Sequence, residues 1–201
     1  SFRTAPWYVE QKLAAEKLAK ELGFSKVSDE KLAVARKIRD YVIGGGFIFA
    51  MCSATDSFDI ALAAEGVDIV EAMFDGDASE LNYQSKINYD KTFAFKDFQL
   101  ERNPNVYEFS SIDMTNKRAI PKTSDYFSLI EFSAKWDPIP TMLTQNHTVL
   151  VKGFMGQTTS FDRNTLKTNL IILGENNVNK EARYIHGTKG KGMFTFYGGH
   201  D

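Results

Sequence analysis

The stretch Val42-Ile43-Gly44-Gly45-Gly46-Phe47-Ile48-Phe49-Ala50-Met51-Cys52-Ser53-Ala54 decides the reading of the fold. Three glycines close one element, and the continuous apolar run Phe47 to Met51 opens the next. A run without alternation predicts a strand buried on both faces. Ser53, Thr55, Asp56 and Ser57 then offer capping groups for a helix predicted to reach about Glu65, with Gly66 as its stop. Between strand and helix stands the only cysteine of the chain, flanked by Ala50 and Ala54. Small-x-Cys-x-small is the frame a sharp strand-to-helix elbow needs, because the backbones pass closely there. A side chain at that apex sits at a helix N-terminus, where N–H groups and the helix dipole favour a thiolate and can hold an oxyanion. Two roles stay open for Cys52: this one, and that of a buried structural cysteine, a residue type often found in cores.

Upstream, Trp7 to Leu22 is rich in good helix formers and carries one apolar stripe, Val9, Leu13, Ala14, Leu18 and Leu22, with Gly23 ending it. A second helix follows, capped by Ser28, with Val27 and Leu32 at staple spacing and Leu32, Ala35, Ile38 and Val42 as its buried face. A helix feeding a doubly buried strand is half of a crossover unit. Nothing before Trp7 reads as a strand, so the expectation is a single α/β domain over 1–201 that is incomplete at its N-terminus, either the later part of a longer chain or one whose missing sheet partners were lost.

Downstream the character changes. From 74 to 140, turn signals such as Asp75-Gly76-Asp77 and Asn103-Pro104-Asn105 separate aromatic-rich segments, which predicts a β-rich insertion. Its aromatics suit core packing, or less often a ligand platform. Thr148 to Phe154, Asn169 to Leu173 and Met193 to Tyr197 read as further strands.

The 201 residues suffice for one substantial core, and a net charge of −2 with interspersed signs argues against a nucleic-acid groove or a polybasic membrane face. No apolar run is long enough for a transmembrane segment. His147, His186 and His200 are too scattered for a local metal-ligand spacing, and the glycine runs match no nucleotide loop, so neither metal nor cofactor is expected. His186, before Gly187, reads as a hairpin residue. Asp56 and Asp59 lie where a carboxylate usually serves the helix dipole.

The chain's last stretch, Gly190-Lys191-Gly192-Met193-Phe194-Thr195-Phe196-Tyr197-Gly198-Gly199-His200-Asp201, reads as a turn, an aromatic strand and a glycine-opened loop presenting His200. Taken with Gly44 to Gly46 and Phe47 to Met51, it resembles the class I glutamine amidotransferase-like superfamily, most closely its ThuA-like branch. The amidotransferase frame is G-x-C-x-G, where this chain has Ala50-Met51-Cys52-Ser53-Ala54. ThuA-like members commonly carry histidine at the elbow. The amidotransferase triad has a glutamate two residues after its histidine, one position beyond Asp201. The whole chain also resembles Bacteroidota envelope or secreted proteins labelled asparagine synthetase B. The ATP-pyrophosphatase loop and N-terminal catalytic cysteine of asparagine synthetases do not occur here.

The resemblance implies a doubly wound, mostly parallel, flavodoxin-like sheet, with a periplasmic, outer-membrane-associated or secreted location. It also implies a cysteine-dependent hydrolase or amidotransferase-like site. There Cys52 attacks a carbonyl carbon, His200 moves the proton, and the Ser53 N–H with one from Gly45 or Gly46 forms the oxyanion hole. The competing expectation is a non-catalytic binding or assembly protein that kept the scaffold, its partner an unknown small molecule or an envelope protein.

Overall fold

The computed structural model describes residues 4–115, 124–130, 148–154 and 156–199. Two helices lead, α1 (Pro6–Glu21) and α2 (Val27–Ile43). Gly44 caps α2, and the N–H groups of Gly45 and Gly46 close its end on the Val42 and Tyr41 carbonyls at 2.9 Å each. Strand β1 (Phe47–Met51) follows, then α3 (Ala54–Ala63). Ser53 precedes α3 without a side-chain cap, and α2 starts after Lys26 rather than at Ser28.

Among the described residues the sheet has six strands in the order β1-β6-β5-β4-β2-β3, completed by β2 (Tyr126–Leu129), β3 (Leu150–Lys152), β4 (Ile171–Glu175), β5 (Ala182–Lys189) and β6 (Gly192–Tyr197). Only β1 and β6 run parallel, and every other pair is antiparallel. This overturns the doubly wound, mostly parallel flavodoxin-like sheet. Short connections are the reason. Gly190-Lys191 joins β5 to β6, with Gly190 at a left-handed φ of 62°, and a turn that tight allows only antiparallel pairing. The turn 176–181 does the same between β4 and β5, where Asn176 Oδ1 accepts from the Val178 and Asn179 N–H groups.

β1 has β6 as its one neighbour among the described residues, so it is an edge strand there. One of its faces is open: Phe49 is 44% and Met51 39% exposed, against the expectation of burial on both faces. Ile48 and Ala50 point into the main core with Phe194, Phe196 and Ile185, under Phe58 and Leu62 of α3.

The β-rich insertion is also corrected. Among the described residues of 74–140 the strand is β2, which belongs to the main sheet; the rest is loop with a few bridges, the tail of a short helix α4 (Ala72–Asp75), the short helix α5 (Tyr83–Lys86) and a 3-10 turn at Tyr89–Lys91. Phe93, Phe95 and Phe98 are core residues placed by loops, with Phe93 edge-on to Phe58 at 5.0 Å between ring centroids. Stripe residues of α1 are not buried: Leu13 is 60% and Leu22 58% exposed, and Ala19 is the helix's one buried residue. Among the described residues, no helix is long and apolar enough to cross a membrane.

Candidate functional site

Cys52 stands where strand passes into helix, and its φ of 53° is left-handed. For a residue with a Cβ this costs on the order of 1–2 kcal/mol, so the turn is held by its surroundings. On one side its N–H donates to the Tyr197 carbonyl at 3.0 Å. Because Met51 pairs with Tyr197 in the parallel ladder, the C-terminal ends of β1 and β6 lie together, with Gly198 and Gly199 following Tyr197. His200 and Asp201, like His147, lie outside the described residues.

On the other side the half-buried thiol donates to the Gln157 carbonyl at 2.8 Å. The segment after Gln157 is tightly laced. Thr158, itself at a left-handed φ of 54°, donates its N–H to Asp113 Oδ2 at 2.7 Å and its hydroxyl to Asp56 Oδ1 at 3.1 Å. Asp113 also accepts from the Thr115 N–H at 2.8 Å, and the Thr115 and Thr159 hydroxyls share a hydrogen bond at 3.0 Å. The peptide joining Gln157 to Thr158 therefore has its C=O on the thiol and its N–H on a buried carboxylate.

Asp56 and Asp113 are both fully buried. Burial pushes the Asp56 carboxyl well above the usual carboxylate range, and the neighbouring Asp113 charge adds to this against the Thr158 hydroxyl. Asp56 Oδ2 has no hydrogen-bond partner among the described residues. Both features favour the neutral acid. Asp113, Gln157 and Thr158 were not legible as site residues, since only the fold brings them to α3, where Asp56 already stands. The one local signal was the polar run Gln157 to Ser160 ahead of the buried Phe161.

The proposed oxyanion partners divide. Ser53 adjoins Cys52 at the start of α3, as expected. Gly45 and Gly46 lie at the other end of β1, where six or more steps of about 3.3 Å each place them roughly 20 Å away. Their N–H groups are already committed to the end of α2, so neither serves Cys52.

His186 is a hairpin residue, as its place before Gly187 suggests: β5 and β6 form the hairpin, and His186 pairs with Thr195 across it. It lies within β5, buried, with Nδ1 2.8 Å from Thr195 Oγ1, and burial lowers its pKa. Asp68, Asp75 and Asp77 bring carboxylate oxygens within 4.8 Å of one another, around the Lys26 ammonium at 3.1, 3.5 and 2.5 Å. That cluster is explained by the cation the chain itself supplies.

No family model, no curated protein and no solved structure matches this chain.

Proposed function

We propose that this chain is a cysteine-dependent acyl-transfer protein, an amide or ester hydrolase or amidotransferase-like protein with Cys52 as nucleophile. The observation that carries the reading is the left-handed Cys52 at the strand-to-helix junction, beside the end of β6. A strained turn of this kind lifts a nucleophile clear of its strand and sets it at a helix N-terminus. The ThuA-like resemblance supports this locally, through the elbow and the Gly-Gly-His-Asp ending, and assigns the proton transfers to His200.

In the first step the sulfur adds to the acyl carbon, and the C–N or C–O bond to the leaving group breaks. The thiol proton departs on the amine or alcohol. Water then attacks the thioester, the C–S bond breaks, a carboxylic acid is released, and a proton from water restores the thiol. The Ser53 N–H is the oxyanion donor nearest to this carbon, since the Thr55 N–H is already committed to the Cys52 carbonyl at 3.1 Å.

Incubation with p-nitrophenyl acetate tests the reading. Release of p-nitrophenol together with an acetyl group mapped to Cys52 by mass spectrometry is expected, and Cys52→Ser removes both. Acetylation elsewhere, or release undiminished in Cys52→Ser, overturns it.

A second reading, a non-catalytic binding or assembly protein of the cell envelope, has one observation in its favour: the exposed apolar residues of α1. It expects Cys52→Ser to behave as the native protein in every assay.

A further inference from the structure

A groove of about 1050 Å³ runs along α3, and Ser57, Ile60 and Ala61 of that helix line it. Loop residues Val106 and Phe109 also line it, 38% and 41% exposed. Its volume is at the upper end for small-molecule pockets.

One contact and one spacing along α3 join this groove to Cys52, which does not itself line it. Gln157, whose carbonyl receives the thiol at 2.8 Å, is itself a lining residue. Ser57 stands five residues beyond Cys52 on a helix rising about 1.5 Å per residue, so the groove ends within roughly 8 Å of the elbow. The groove's cations are already neutralised within the chain. Lys26 pairs with Asp68 at 3.1 Å, Lys31 with Glu30 at 3.5 Å, Arg36 with Glu65 at 2.5 Å, and Arg102 with Glu71. An anionic ligand would have to displace an existing partner, whereas an uncharged apolar group gains by covering Ile60, Val106 and Phe109.

We infer that the groove along α3 is the acyl-binding site of the Cys52 centre and that its substrates are amides or esters with an uncharged, extended apolar acyl group. This rests on the reading of Cys52 as nucleophile. The carbonyl sits at the Gln157 end and the apolar portion runs along α3 toward Ala64.

Two measurements test it. The first is chemical: kcat/KM for p-nitrophenyl octanoate exceeds that for p-nitrophenyl acetate by at least tenfold, and the ratio collapses toward one in Ala61→Trp, which fills the groove, and in Phe109→Asp, which charges its exposed rim. Equal rates on the two esters, or a ratio untouched by both variants, overturn the inference. The second needs no chemistry and uses the Cys52→Ser protein with the neutral fluorophore N-phenyl-1-naphthylamine. Bound fluorescence, with affinity at least tenfold weaker when Ala61→Trp or Phe109→Asp is added, is expected; no binding, or binding indifferent to both changes, overturns it. Loss of Cys52-dependent turnover on both esters, with fluorophore binding intact, removes the nucleophile reading and with it the acyl assignment. Turnover without chain-length selectivity removes only the groove.

Discussion

Asp59 shows at the scale of one residue how local reading and tertiary role part. On α3 its position suggests a carboxylate serving the helix dipole. In the structure it is fully buried and receives three backbone N–H groups, from Phe93 at 2.7 Å, Ala94 at 2.7 Å and Phe95 at 3.0 Å. Burial pushes its pKa from 3.8 up to about 6, against the downward pull of the three donors. A folded pKa above the unfolded one means that the folded state binds the proton more tightly. The stability this contributes is complete below the unfolded value and is lost as pH rises through about 6. Asn at the same position carries no titration. Chemical denaturation of the native protein and Asp59→Asn should therefore show the gap moving in favour of Asn between pH 4 and 7, by about 2–3 kcal/mol at roughly 1.4 kcal/mol per pKa unit. A gap constant with pH would show that Asp59 stays ionised throughout. Nothing near Asp59 in the chain announces this role, because its donors lie 34 to 36 residues away.

Among the elements, β5 was the strand least visible in the sequence. Ala182-Arg183-Tyr184-Ile185-His186-Gly187 places a cation and an imidazole in a segment that is almost wholly buried. Such a strand is stable only because partners from elsewhere satisfy it. His186 meets Thr195 on β6, and Arg183 Nη2 donates to Asp125 Oδ1 at 2.5 Å, both side chains of that pair fully buried. Asp125 immediately precedes β2, so the pair ties the β2 end of the sheet to its centre. Removing Asp125 leaves the buried Arg183 with only Glu181 Oε2, 3.7 Å from its Nε, as an opposite charge among the described residues, a loss of up to about 3–5 kcal/mol. Asp125→Ala should lower the unfolding free energy by about that much in a urea titration, and a loss below about 1 kcal/mol would mean that Glu181 or water compensates Arg183. By contrast β6 was readable in advance, since its aromatic run and the glycine turn before it are local features.

For the whole molecule, the exposed α1 separates helix formation from membership of the core. Its composition predicts a helix and a helix forms, yet only Ala19 is buried. A chain that begins at Gly23 should keep its thermal midpoint within about 4 °C of the native protein by circular dichroism, the shift equivalent to roughly 1 kcal/mol at this size. A fall of more than about 10 °C would show that α1 supports the core through α2. The sequence by itself determined the features written within a few residues: α1, α2, the glycine turn, the short strand into Cys52, the elbow, and the strand from Gly192. Period, punctuation and propensity act over that range. Tertiary structure alone decided that the sheet is mixed, that β1 lies at its edge among the described residues, and that the Cys52 thiol meets Gln157, a partner 105 residues away. Strand pairing and buried polar contacts join groups that no local pattern links, so their choice depends on which faces and edges the rest of the chain leaves to be filled.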